Sequence, residues 1–99
     1  MYRGSTPTNT FTTTTDISGA DVVYISYAQQ GRVVIEKDKD DCTFSQDGVS
    51  VMLSQQETLR LNACYDVEIQ IRAKLPNGKA LVSNIIKTTV DRVLKDGVI

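Results

Sequence analysis

Three groups of residues have types and spacing that suggest chemistry: Cys42 with Cys64, the run Asp38-Lys39-Asp40-Asp41, and the pair Asp66 and Glu68. A nucleophilic cysteine needs a neighbouring base to make its thiolate, and this chain contains no His. Strand counting puts Cys42 and Cys64 at one end of a sheet structure, each just before a strand of the same direction. Cys42 falls in the inward register and Cys64 out of phase with the core set, so two free thiols are expected and a Cys42–Cys64 disulfide is the disfavoured alternative. The acidic run has carboxylates for calcium, but Lys39 interrupts it, and no Gly or later Glu stands at loop spacing. It reads as a solvated loop. Asp66 and Glu68 share one strand face at i, i+2, as a glycosidase pair would, yet Arg72 and Lys74 line the same face. That is the ordinary outer face of a half-exposed strand. Without His the commonest general base and metal ligand is missing. No catalytic, cofactor-binding or metal-ligating residue is assigned, and an enzyme is the least supported class.

The elements that would position these side chains are strands. Val67, Ile69, Ile71, Ala73 and Leu75 alternate with Asp66, Glu68, Gln70, Arg72 and Lys74, and Pro76-Asn77-Gly78-Lys79 then reverses the chain. A period of two sends one set inward and the other to water, and Asn-Gly favours a tight hairpin turn. Seven strands follow from the same reading: residues 8–15 (a Thr-rich edge strand), 22–28, 32–37, 42–45, a strand carrying Val49, Val51 and Leu53, then 65–75 and 80–90. A three-residue loop Gln29-Gln30-Gly31 sets Tyr27 opposite Val33 and Ile25 opposite Ile35. A two-residue Asp47-Gly48 turn sets Phe44 opposite Val51 and Cys42 opposite Leu53. After Asn77-Gly78 two registers stay open. One turns Ala80, Val82, Ile86 and Val90 inward together with Asn84; a one-residue slip uses Leu81 and Ile85. Ser54-Gln55-Gln56-Glu57 has capping-box spacing for one helical turn, pinned by Leu59 and Leu61.

The expected fold is all-β: a seven-stranded antiparallel immunoglobulin/fibronectin III-like sandwich with one short helical turn, a small open barrel being the runner-up. Leu59 and Tyr65 through Ala73 resemble the E–F corner and F strand of fibronectin type III domains, which implies a Tyr65 hydroxyl tucked back onto the corner. Residues 1–8 read as a flexible N-terminal arm and 9–99 as a single domain. Val22, Tyr24, Val34 and Met52 fall outward and form a candidate protein-contact surface. Tyr2 and Arg3 in the arm are candidates for strand addition onto a neighbour.

Eleven basic and twelve acidic residues give a net charge of −1. The basic residues are scattered, so no nucleic-acid partner is expected. No apolar run approaches the roughly 20 residues of a membrane span. The N-terminal residues carry no apolar signal-peptide core, so no membrane partner and no secretion by that route are expected.

Nearly the whole chain resembles small prophage-encoded proteins found among phage tail genes of Gram-positive bacteria. The matching stretches are Arg3 to Thr8 with Phe11, Ile25-Ser26-Tyr27-Ala28-Gln29, Asp41-Cys42-Thr43, Leu53 to Leu59, Val67 to Arg72, and Gly78-Lys79-Ala80 with Ser83-Asn84-Ile85-Ile86. A second likeness, at the level of fold, is to the N-terminal domain of phage baseplate upper proteins. The resemblance implies a non-enzymatic structural or adaptor protein that assembles with itself or a larger phage tail protein, in the bacterial cytoplasm when expressed or in the virion. The alternative is a host-surface or carbohydrate-binding module.

Overall fold

Val23, Ile25 and Tyr27 in one strand, and Ile69, Ile71 and Ala73 in another, meet face to face across an antiparallel ladder, and this match organises the molecule. The computed structural model describes residues 1–99. Its elements are β1 (Thr8–Thr12), β2 (Val22–Gln29), β3 (Arg32–Asp38), a 3-10 turn (Lys39–Asp41), β4 (Cys42–Ser45), β5 (Gly48–Met52), the helical turn α1 (Gln55–Leu59), β6 (Val67–Lys74), β7 (Ala80–Val82) and β8 (Ile86–Thr88). They form two antiparallel sheets, ordered β1-β5-β4 and β3-β2-β6-β7, with β8 also pairing to β6. The inner faces of both sheets feed one core, in which Phe11, Val49 and Val51 meet Ile25, Tyr27, Ile35 and Val67. The fold is therefore all-β.

The strand order departs from the immunoglobulin/fibronectin expectation. In the immunoglobulin order the second strand joins the sheet of the first and fifth. Here β2 lies between β3 and β6. The cause is the continuous apolar match just described, which runs from Val22 opposite Lys74 to Ala28 opposite Glu68. The Tyr65 expectation also fails: its side chain is 42% exposed and it precedes β6. Gln29 secures that corner instead. Its buried amide donates to Asn62 O at 2.8 Å and Tyr65 O at 3.0 Å, and accepts from Asn62 N at 2.9 Å.

All three hairpins fall where the turn residues indicated; the first two registers differ from expectation, and the third draws on both of the registers left open. Gln30 and Gly31, at φ 51° and 77°, make a two-residue turn between Gln29 and Arg32. A bulge then shifts the ladder so that Tyr27 faces Ile35, both buried. The bulge resolves the conflict that a two-residue turn would otherwise create by setting Ile25 opposite Glu36. In the second hairpin Ser45 pairs with Gly48, so Gln46 and Asp47 form the turn and Phe44 faces Val49. Gly48 belongs to β5, where a Cβ would stand 2.8 Å from Phe11 O; it permits the close approach of β1. In the third, Leu75 N bonds to Lys79 O at 2.8 Å, closing a three-residue loop with Gly78 at φ 87°. This brings Leu81 opposite Ala73. Ser83 then breaks the strand: its N–H reaches Ile71 O at 2.9 Å and its Oγ accepts from Ile71 N at 2.9 Å. Beyond it Ile86 faces Ile69. The two registers left open by the sequence are thus both used, one on each side of Ser83. The seventh strand becomes two short ones.

Ser54 caps α1 as expected, accepting from Glu57 N while Glu57 bonds back to Ser54 N. Leu61 is buried, whereas Leu59 is only half-buried and Thr58 takes the enclosed position. Residues 1–8, read as a flexible arm, lie on the domain. Arg3 Nε donates to Leu61 O at 2.8 Å and Nη2 to Leu59 O at 3.0 Å. Gly4 N donates to Thr58 Oγ1 at 2.9 Å, and that hydroxyl donates to Ser5 O at 2.9 Å. Tyr2 makes a parallel bridge with Asp91. The chain ahead of β1 thereby satisfies the Leu59 carbonyl, which the end of a short helix leaves unpaired, and the Leu61 carbonyl just beyond it.

Candidate functional site

Two surfaces emerge from this geometry. The first is the outer face of the larger sheet. Residues directly opposite one another in a ladder share a face. One row across it therefore reads Asp38, Tyr24, Arg72, Val82, on β3, β2, β6 and β7 in turn. The next row toward the start of β2 carries Val22, Lys74 and Ala80. Tyr24 is 44% exposed, Val22 38% and Val82 57%. Glu36, opposite Ser26, adds a second acid on the β3 side. None of Glu36, Asp38, Arg72 and Lys74 is in an intramolecular ion pair; the three pairs present are Met1–Asp91, Arg3–Asp96 and Lys37–Glu57. The result is an apolar pair, Val22 and Tyr24, between acids on β3 and bases on β6 that form no ion pairs, with Val82 beyond the bases on β7.

Of the six residues expected at an interface, Val22 and Tyr24 are brought together and the others are not. Met52, 60% exposed, faces outward from the other sheet, opposite Thr8. Val34 sits at the bulge and packs half-buried against the core. Arg3 is spent on the carbonyls of Leu59 and Leu61. Tyr2 is exposed beside Asp91, at the end of β6 away from Lys74. The sequence reading missed Val82, because its register depends on the three-residue turn.

The second surface is a groove of about 400 Å3 between the two sheets on the side where β1 and β7–β8 are the free edges. Phe11, Ile17, Ile71, Ala73, Leu81 and Ile86 form its apolar wall, with Val82 at the margin it shares with the outer face, and Thr12 to Thr15 with Ser83 and Asn84 its polar rim. No charged residue lines it. Its volume falls in the range of small-molecule sites. The one trace of it in the sequence is the polar pair Ser83-Asn84 between the apolar runs Ala80-Leu81-Val82 and Ile85-Ile86.

Of the titratable groups singled out in the sequence, Asp38, Asp41 and Cys42 have structural employment. Asp38 accepts from Asp40 N at 3.0 Å, and Asp38 N donates to Asp41 Oδ2 at 3.1 Å, so the acidic run caps its own 3-10 turn. Both cysteines are free, Cys42 half-buried and Cys64 exposed. Burial, with Asp41 and Asp38 nearby, pushes the Cys42 thiol up, and its Sγ donates to Asp38 O at 3.2 Å. A thiol held protonated in this way is a poor nucleophile. Glu68 lies half-buried in β6 opposite Lys87, and Asp66 is exposed before the strand begins. No helix is long and apolar enough to cross a membrane. No protein-family model, no curated protein and no solved structure matches this chain.

Proposed function

We infer that this chain is a non-enzymatic structural or adaptor protein of a phage or prophage, associated with the tail or baseplate. It acts through protein–protein assembly with itself or with a larger tail protein, without nucleic acid or membrane, in the bacterial cytoplasm or in the virion. The finer fold reading that goes with it is a sandwich of seven strands in which β7 and β8 count as one interrupted strand. The observation that carries the assembly reading is the outer row of the larger sheet. Its exposed apolar residues stand beside charges that have no ion-pair partner in the chain, the composition of a contact surface with a polar rim.

The test is co-sedimentation of the labelled protein with purified phage tails, beside the Tyr24→Ser/Val82→Ser variant. Retention on tails that the variant loses supports the reading. Retention unchanged in the variant, or no retention, overturns it. The alternative, a host-surface or carbohydrate-binding module, draws on the uncharged groove with its threonine hydroxyls and the Asn84 amide, groups able to hydrogen-bond a neutral sugar. Glycan binding lost on Asn84→Ala, with no binding to tails, would favour that module.

A further inference from the structure

The charges on the outer face are arranged so that the face complements itself. Reading across the strands, acids stand on β3 (Glu36, Asp38), the apolar residues Val22 and Tyr24 on β2, and bases on β6 (Arg72, Lys74), while the acid on the outer face of β6, Glu68, lies two rows from Arg72 and opposite Lys87. A two-fold axis lying between two such faces and running along β2 exchanges left for right. It sets Asp38 of each copy over Arg72 of the other and Tyr24 over Tyr24. An axis across the strands would instead set Arg72 over Arg72, a like-charge contact that costs free energy. Charge therefore selects one symmetric arrangement, and an interface built on a two-fold is isologous by construction.

We propose that the outer face of the β3-β2-β6 sheet docks a second copy of this chain, with Tyr24 at the two-fold and Asp38–Arg72 pairs on either side. The proposal rests on the assembly reading above and specifies its partner. The overlap of three strands, about 4.8 Å apart, over the eight residues of β2 covers on the order of 400 Å2 per copy. That is about half the ~800 Å2 per partner of a stable complex. The dimer is accordingly reversible and sensitive to salt. Strands of the two copies run in the same sense, which suits aligned sheet packing with its inclination of about 30°.

Sedimentation equilibrium of the whole chain, with reductant present, tests the proposal at salt concentrations from about 0.05 M to about 0.5 M. The expected result is a dimer that weakens at least about tenfold as salt rises. Arg72→Glu and Asp38→Arg should each be monomeric alone. Their equimolar mixture should form a one-to-one dimer, since every opposed pair is then of opposite sign. Asp38 also caps the 3-10 turn, so Tyr24→Ser serves as the second variant: it touches no cap and should be monomeric with an unchanged far-ultraviolet spectrum. A monomeric parent protein, a dimer indifferent to Arg72→Glu and Tyr24→Ser, or a mixture of folded variants that stays monomeric would each overturn the proposal. A monomeric parent that still sediments with phage tails overturns the dimer alone; a dimer that ignores tails overturns the tail reading alone.

Discussion

The two long sides of this molecule are built from the same kinds of strand but closed in different ways. On one side β3 runs through the 3-10 turn directly into β4, so the edge strands of both sheets are joined by the chain itself. Lys37 on β3 pairs with Glu57 on α1 at 2.8 Å, and Lys39 Nζ donates to Ala20 O at 2.6 Å. On the other side β1 and β7–β8 end without a connection between them, and the groove opens there. Chain continuity supplies side chains that cover the core where the sheets are joined. Where they are not, apolar residues such as Leu81 and Ile86 remain partly uncovered. The difference locates both where stability is concentrated and where a ligand can enter.

The largest expected effect follows from this contrast. Ile35, on the joined side, is 1% exposed. Ile35→Ala should cost about 3–4 kcal/mol, the transfer term of its lost methylenes plus the cavity they leave. Leu81→Ala removes a similar side chain from the groove wall, where part of its surface is already in water. About 1–2 kcal/mol is expected there. Urea unfolding of both variants measures the difference. Equal costs would mean that the open side is as well covered as the joined one, and the contrast would fall.

A second prediction probes the centre, where the two sheets are linked through a side chain. Asn9 on β1 donates to the Tyr27 hydroxyl on β2 at 2.8 Å. Burial pushes the Tyr27 phenol up to about 12, against the opposing effect of the Asn9 bond. The unfolded chain ionises this phenol near pH 10. Stability is therefore whole below pH 10 and falls between pH 10 and about 12, by on the order of 2–3 kcal/mol. Tyr27→Phe should flatten that alkaline limb. An alkaline limb of the same slope in Tyr27→Phe would show that another group governs it.

How far these features were legible in the sequence depends on the range over which each is determined. The alternation in β2 and β6 and the Ser54–Glu57 cap are local patterns, and they stand as read; the Thr-rich edge strand is there too but ends at Thr12 rather than Thr15. Period two names the face of a residue but not its neighbour, so it could not place β2 beside β6. Register was lost at the first two hairpins because a bulge, as between Tyr27 and Ala28, or a turn moved by one residue, as at Gln46-Asp47, shifts pairing, and beyond the third hairpin Ser83 in the ladder let both open registers stand. The candidate interface was half legible. Val22 and Tyr24 follow from alternation alone, whereas Val82 required the turn geometry and Arg3 required knowing that the carbonyls of Leu59 and Leu61, at and just beyond the end of α1, lie within its reach.

The smallest expected effect sharpens the contrast at the joined side. Burial alone would raise the Glu57 carboxyl, but the Lys37 ammonium and the Ser54 N–H outweigh it and hold the group below its ordinary 4.5. A depressed carboxyl contributes stability that is present above the unfolded value and is lost as pH falls through the folded one. The acid limb should thus begin below about pH 4.5 and deepen as the pH drops further. Glu57→Gln keeps an acceptor for the Ser54 N–H while removing the charge beside Lys37. Because the pair is partly solvated, a loss of only about 1 kcal/mol at neutral pH is expected. The loss should vanish toward low pH, where the parent carboxyl is itself protonated. Chemical unfolding at neutral and acid pH measures both. A loss that persists undiminished at low pH would assign the cost to packing of α1 rather than to charge, and the joined side would then be held by its covalent crossing and core alone.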